Sequence, residues 1–218
     1  MTPADVPARL RPRKEPRQDR SRQTRDRFLD AAARIFATHG YSAGTTNRIA
    51  AEAGASIGSL YQYFPNKDSI LVALVRRHVD DGTQLLLDAF ARTDGQPVLD
   101  RLPVLVDAVL ANHTSDPRLH QVLFEEAPRP PELLAELHEL ESVVVAAVES
   151  MLRDDPDLAV RDPAMAARLV VMSVESLVHR YVATSQDDLD VDAFRAELVT
   201  MLSGYLSGGG AAGPTYAG

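Results

Sequence analysis

The sequence contains no cysteine, and this absence excludes several classes of protein. Without thiols the chain can form neither a disulfide framework nor a zinc site with thiolate ligands, and it has no cysteine nucleophile. It also lacks a run of about 18 consecutive apolar residues, so we expect no membrane span. The basic N-terminus has no apolar segment of the kind that a secretory signal requires, which favours a cytoplasmic protein.

Positive charge is scarce after the first third of the chain. Residues 1–78 carry 14 Lys and Arg against 7 Asp and Glu, whereas residues 79–218 carry 9 against 24. The net charge of −8 therefore combines a basic N-terminal part with an acidic remainder. Because phosphates attract lysine and arginine, this pattern is typical of a nucleic-acid-binding segment joined to a larger domain. A basic tail on an acidic enzyme would give the same pattern.

Apolar residues recur with helical spacing along most of the chain, so the predicted fold class is all-α. Residues 24–39 form one apolar stripe with Gly40 as its C-terminal cap. Proline-rich residues 1–17 predict a disordered basic arm, and glycine-rich residues 207–218 predict a disordered tail. Further helices are predicted at 45–53, 56–64, 67–91, 103–114, 131–153, 162–184 and 190–206.

The two short segments at 45–53 and 56–64 have the pattern of a helix-turn-helix. Ala50 and Ala53 would let the two backbones approach closely, and Gly54 would make the turn. The outer face of the second helix then carries small or hydrogen-bonding groups suited to base edges in a major groove. Helical hairpins are also common in proteins that bind no DNA. The predicted outer-face residues are Ile57, Gly58, Ser59, Gln62 and Tyr63.

A longer set of residues carries a family resemblance. The positions are Thr24, Arg25, Phe28, Leu29, Ala31, Ala32, Phe36, Gly40 and Tyr41, followed by TTNRIAAEAGASIGSLYQYFPNKDSIL at Thr45–Leu71. This stretch resembles the DNA-binding domain of TetR-family transcriptional repressors, and it covers about a quarter of the chain. The remainder resembles the family only in being helical and of suitable length.

The resemblance implies a role for each matching residue. Thr45, Thr46 and Asn47 would meet DNA phosphates at the start of the first short helix, and Lys67 would bind a further phosphate. The recognition helix would touch base edges and flanking phosphates through Ile57, Gly58, Ser59, Tyr61, Gln62 and Tyr63.

Two positions depart from the family pattern. Gly44 lies where a capping threonine is frequent, and Ala55 lies where a larger aliphatic residue is usual. We expect either difference to loosen the hairpin slightly without removing a contact group.

The sequence gives little support for a catalytic or metal-binding function. Gly54 to Gly58 match G-x-S-x-G, the nucleophile elbow of α/β-hydrolases, but that elbow needs a strand before Ser56 and the sequence predicts a helix. Ser56 is better interpreted as a helix cap. The histidines, among them His113, His120 and His138, show no metal-ligand spacing, and no nucleotide-binding glycine motif occurs. We therefore predict no catalytic residue, no cofactor and no metal.

Two apolar bands near the C-terminus suggest dimerisation. One spans Leu169 to Tyr181 and the other Phe194 to Tyr205. They fit an intramolecular core, but the family resemblance implies a four-helix homodimer interface formed by helices 162–184 and 190–206. A dimer would present two recognition helices to two half-sites of a palindromic operator in double-stranded DNA.

The resulting prediction is a repressor with an N-terminal helix-turn-helix domain of three helices and a C-terminal helical domain. Residues 18–66 would bind DNA, and residues 67–206 would dimerise and bind a small-molecule effector that releases the operator. The alternatives are a constitutive DNA-binding regulator without an effector and, more distantly, a helical enzyme.

Overall fold

The computed structural model describes residues 19–158, 160–184 and 190–208. Within these residues the chain forms helices and no strands, which confirms the all-α prediction. No helix in the described ranges is both long and apolar enough to cross a membrane. The predicted disordered arm at 1–17 lies outside the described residues, as does the predicted tail beyond Gly208.

The helices follow one another in a simple order with short connections. Two features interrupt regular α-helix: Gly40 has a non-helical backbone (φ 72°) inside the first helix, and a π-helical turn at Val122–Glu126 follows the sixth. The helices are α1 Asp19–Ala43, α2 Thr46–Glu52, α3 Ile57–Tyr63, α4 Lys67–Arg92, α5 Val98–Thr114, α6 Pro117–Gln121, α7 Pro131–Asp154, α8 Pro163–Thr184 and α9 Val191–Leu206.

The helices differ from the sequence prediction at two places. Pro103 was predicted to start a helix, but it lies inside α5, which begins at Val98. The Asp155 carboxylate accepts a hydrogen bond from the Val98 N–H at 2.7 Å, and buried Val98 and Leu102 anchor this extra turn. No helix was predicted between 114 and 131, but α6 begins there at Pro117, and the Asp116 side chain caps the Leu119 N–H.

The chain divides into two compact units. Unit 1 combines Met1–Asp81 with Asp116–Leu137, and unit 2 combines Gly82–Ser115 with His138–Gly218. The grouping thus differs from the predicted boundary at residue 66, because unit 1 also takes in the start of α4 and the α6 segment. The functional division into 18–66 and 67–206 stays a prediction.

The core of unit 1 contains large side chains. Phe28 and Phe36 of α1 are completely buried. Leu60 of α3, Ile70 of α4 and Phe64, which lies between these two helices, are completely buried as well. Fully burying a side chain of this size contributes about 1.5–3 kcal/mol. Because α1, α3 and α4 all contribute to this core, the short α2–α3 hairpin is fixed on a rigid base.

The core of unit 2 is built mainly from aliphatic residues. Helix α5 packs against α8 and α9. The Arg195 guanidinium of α9 also forms an ion pair with Asp107 of α5. The buried residues of this core include Val98, Leu102, Val106, Leu110, Val148, Leu152, Val170, Val178, Val182, Leu198, Leu202 and Leu206.

Candidate nucleic-acid interface

The α2–α3 hairpin has the Ser56 cap and the Gly54 turn that the sequence indicated, and Thr45 also caps α2. Thr45 accepts a hydrogen bond from the Arg48 N–H at 3.3 Å, and Ser56 accepts one from the Ser59 N–H at 3.1 Å. Gly54 adopts φ 60°, a left-handed conformation that glycine reaches without steric cost. Ser56 is thus a helix cap, as predicted, and a helix rather than a strand precedes it.

The hairpin is anchored through its inner face. Ile49 and Leu60 are completely buried, and Ala50 and Ala53 are buried beside them. Ala55, the second of the two departures from the family pattern, packs against the same core, and its N–H donates to the Ala50 carbonyl at 2.9 Å. The two helices therefore approach closely, as the small residues predicted.

Gly44 has a packing role that the sequence analysis did not foresee. The residue is buried, and a Cβ atom added to it would overlap the ring of Phe36. The expectation that Gly44 loosens the hairpin slightly is not supported by this geometry. A glycine here lets the chain pass directly over the Phe36 ring before α2 begins.

The outer face of α3 presents most of the predicted recognition residues to solvent. Gly58, Tyr61 and Gln62 are exposed, and Ile57 and Ser59 are partly exposed. The residues are small or carry hydrogen-bonding groups, so the α3 face can meet base edges and phosphates.

Tyr63 requires a correction. It was placed on the outer face, but it is buried, with its ring centroid 5.8 Å from that of Phe28 and its hydroxyl 3.3 Å from Ser21 Oγ. Tyr63 lies three residues after Leu60, so helical geometry turns both side chains toward the core. Its structural role is to join α3 to α1.

The structure brings predicted phosphate-contacting residues of the two helices together. The Thr46 hydroxyl lies 3.3 Å from the Tyr61 hydroxyl, although 15 residues separate them in sequence. Thr45 and Asn47 are exposed at the same end of α2. One phosphate oxygen could accept hydrogen bonds from both hydroxyls and from the amides at the start of α2.

Lys67 begins α4, as predicted, but its ammonium group already has internal partners. Lys67 Nζ donates to the Tyr41 carbonyl at 2.7 Å and lies 3.9 Å from the centroid of the Tyr41 ring. Burial lowers the pKa of Lys67, an effect that the nearby Asp68 carboxylate opposes. Lys67 therefore holds the turn that leads into α2, besides any contact it makes with a phosphate.

Tyr41 is held on its other sides as well. Its backbone N–H donates to Glu126 Oε2 at 3.2 Å, and its hydroxyl donates to the Asp68 carboxylate. Burial, together with this bond to Asp68, raises the pKa of the Tyr41 phenol. Arg118 of α6 pairs with Glu126 at 2.7 Å, so the segment 117–126 fixes the backbone just before the hairpin. The sequence analysis missed Glu126, because 85 residues separate it from Tyr41.

Comparison with known proteins identifies this arrangement. Residues 28–74 match the model for the tetR family of bacterial regulatory proteins, and residues 100–206 match the tetracyclin repressor-like C-terminal domain. The chain belongs to the tetR family. It is thus a DNA-binding transcriptional regulator, and the α2–α3 hairpin is its helix-turn-helix.

Relatives cover most of the chain. The HTH-type transcriptional activator FasR from Mycolicibacterium smegmatis is 29% identical over 194 residues, which are 88% of this chain and 85% of FasR. A TetR-like transcriptional regulator from Rhodococcus sp. RHA1 has a TM-score of 0.67 at 22% identity, over 89% of this chain and 100% of its own. FadR from Bacillus subtilis, crystallised with stearoyl-CoA, has a TM-score of 0.62 at 19% identity, over 81% of this chain and 96% of its own.

Family members bind DNA as homodimers, and some of them bind ligands. In this tetR-family chain, α8 and α9 expose six large apolar residues. Other apolar residues of the two predicted bands are buried in the subunit's own core instead, among them Val170, Val178, Leu198 and Leu202. The exposed residues are Met165, which precedes the first band, and Leu169, Met172, Leu177, Met201 and Tyr205.

Proposed function

We propose that this tetR-family protein is a homodimeric repressor that reads a palindromic operator with the outer face of α3. The observation that carries the proposal is the division of α3 into two faces. Leu60 and Tyr63 fix the helix to unit 1, while Gly58, Tyr61 and Gln62 lie exposed on the opposite side. A helix of this kind fits the major groove, where base pairs are distinguishable.

The proposed contacts fall into two classes. Ser59 and Gln62 carry side chains that can hydrogen-bond to base edges, so we assign sequence reading to them. Thr46, Tyr61 and Lys67 carry groups suited to phosphates, so we assign them to positioning. Ile57 and Gly58 would let the helix approach the groove floor, and Thr45 and Asn47 would add contacts at the start of α2.

We propose that α8 and α9 form the dimer interface. Their six exposed large apolar side chains are about 39–53% accessible in the single subunit. Clusters of this kind on a soluble protein mark binding surfaces, and flexible methionines adapt well to a second helix surface. Two α8–α9 pairs would form a four-helix interface, and the recognition helices would reach half-sites about 34–36 Å apart.

Analytical ultracentrifugation tests this interface. Met172→Glu combined with Met201→Glu places charge on both helices, and we expect the variant to sediment as a monomer where the unchanged protein is a dimer. Val143→Glu is the matched control, because Val143 is also an exposed apolar residue but lies on α7. A dimeric double variant, or a monomeric control, would place the interface elsewhere.

Repression is proposed because a dimer bound over a promoter excludes polymerase without any further contact. An effector bound among the helices of residues 67–206 would tilt α4 and change the spacing of the recognition helices, which would release the operator. In vitro transcription from a promoter carrying the operator tests the direction of regulation. A fall in transcript supports repression, whereas a rise would make the protein an activator, as FasR is named.

A titration of the protein–operator complex tests the effector. Stearoyl-CoA is a rational first probe, because the Bacillus subtilis FadR structure contains it. We expect an effector to lower operator affinity and, by linkage, operator DNA to lower effector affinity equally. If a panel of acyl-CoA thioesters and other small molecules leaves operator affinity unchanged, the protein is a constitutive regulator.

A further inference from the structure

Two histidines of unit 2 bring their ring nitrogens side by side. His113 lies on α5 and His179 on α8, and their Nε2 atoms are 3.2 Å apart although 66 residues separate them in sequence. The two rings are nearly perpendicular, with an interplanar angle of 83°. Because α5 packs against α8, the fold itself creates the pair.

The tautomer of His113 follows from its second nitrogen. His113 Nδ1 lies 2.7 Å from the Val109 carbonyl oxygen, which can only accept a hydrogen bond. The proton of the neutral ring is therefore on Nδ1. The lone pair is on Nε2, the nitrogen that lies 3.2 Å from His179 Nε2. Histidines that bind metals use this arrangement, with one nitrogen on the ion and the other anchored to a carbonyl or carboxylate.

The separation of the two nitrogens suits a shared ion. Zinc–imidazole bonds of about 2.0–2.1 Å at a tetrahedral angle place the two nitrogens about 3.3 Å apart. Imidazole is also a preferred ligand of nickel and copper. We propose that His113 and His179 are two ligands of a bound divalent transition-metal ion of the zinc type.

The two histidines lie in a partly buried environment rather than on the open surface of the protein. His113 is buried, and the neighbouring Val178 is completely buried. His113 lies in the last turn of α5 and His179 in the C-terminal part of α8, so both side chains are attached to helical backbone rather than to loops. Two imidazoles leave coordination positions on the ion for water or for other oxygen and nitrogen donors. The proposal stands independently of DNA binding by the hairpin.

Metal titration of the full-length chain tests the proposal. The protein is treated with EDTA and dialysed, and Zn²⁺ binding is measured by calorimetry while Co²⁺ binding is followed by visible absorption. We expect one ion per chain. Each of His113→Asn and His179→Asn should weaken Zn²⁺ binding by about tenfold or more. The control His39→Ala, at an exposed position of α1, should bind as the unchanged protein does.

The two substitutions are chosen to separate ligation from folding. The asparagine amide in His113→Asn can still donate to the Val109 carbonyl, so the backbone contact is kept and only the Nε2 ligand is lost. Helical content and melting temperature of each variant without metal serve as the folding check, and a folded His179→Asn variant alone suffices for the test. Zn²⁺ affinity that is unchanged in the folded variants, or no uptake by the unchanged protein, would reduce the pair to a histidine–histidine hydrogen bond.

Discussion

The two units of the molecule differ in how far their large apolar side chains are buried. All three fully buried phenylalanines, Phe28, Phe36 and Phe64, belong to unit 1. Of the exposed large apolar residues in the described part of the chain, Tyr61 alone lies in unit 1, and the others lie in unit 2. Unit 1 therefore completes its core within one subunit, whereas unit 2 retains apolar surface that a second subunit or a ligand can cover.

The largest effect is expected from truncating a phenylalanine of unit 1. Phe28→Ala should lower the free energy of unfolding by about 3–5 kcal/mol, because the side chain is completely buried against Tyr63 and its loss leaves a cavity. The exposed Val143→Ala in unit 2, outside the proposed dimer interface, is the contrast, with an expected change within about 0.5 kcal/mol. Urea denaturation measures both, and equal losses would remove the distinction between the units.

Gly44→Ala should give a smaller loss of about 1–3 kcal/mol, because the new Cβ would overlap the Phe36 ring. The double variant Gly44→Ala with Phe36→Leu should recover part of that loss, since leucine leaves room for the methyl group. Thermal unfolding of Gly44→Ala, Phe36→Leu and the double variant checks this. If Gly44→Ala were neutral or stabilising, the tight passage over Phe36 would not constrain the hairpin.

The local features of unit 1 were predictable from sequence, and its long-range contacts were not. Thr45, Gly54 and Ser56 act within three or four residues of their partners, so capping and turn preferences identify them. Tyr63 was also predictable in principle, because it follows Leu60 by three residues, but its polar hydroxyl suggested an outward position. The contact between Glu126 and Tyr41 spans 85 residues and depends on packing that no local pattern records.

In unit 2 the sequence predicted where the helices lie, but it did not predict what their side chains contact. Apolar spacing identified α8 and α9, but it does not distinguish positions that face the subunit's own core from positions left exposed. Val170 and Leu169 are neighbours in the same band, and one is buried while the other is 44% exposed. The His113–His179 pair was missed for a similar reason, since its two members come from different helices.

A small effect on operator affinity is expected from Glu126→Gln. The substitution keeps the shape of the side chain but removes its charge, weakening its hold on the Tyr41 N–H and its ion pair with Arg118. We expect operator affinity to fall several-fold, about 1 kcal/mol, with an unchanged salt dependence because no phosphate contact is lost. Arg153→Gln, which breaks the ion pair with Glu149 on α7 instead, should leave operator binding unaltered.

Operator binding by Gln62→Ala and Lys67→Ala, titrated at several salt concentrations, tests the reading role of α3 most directly. Gln62→Ala should lose about 1–3 kcal/mol on the operator and little on unrelated duplex, with altered preference at one or two base pairs of each half-site. Lys67→Ala should lose affinity on every sequence and lower the salt slope by about one unit. Equal, sequence-independent losses for both variants would contradict the placement of α3 in the major groove.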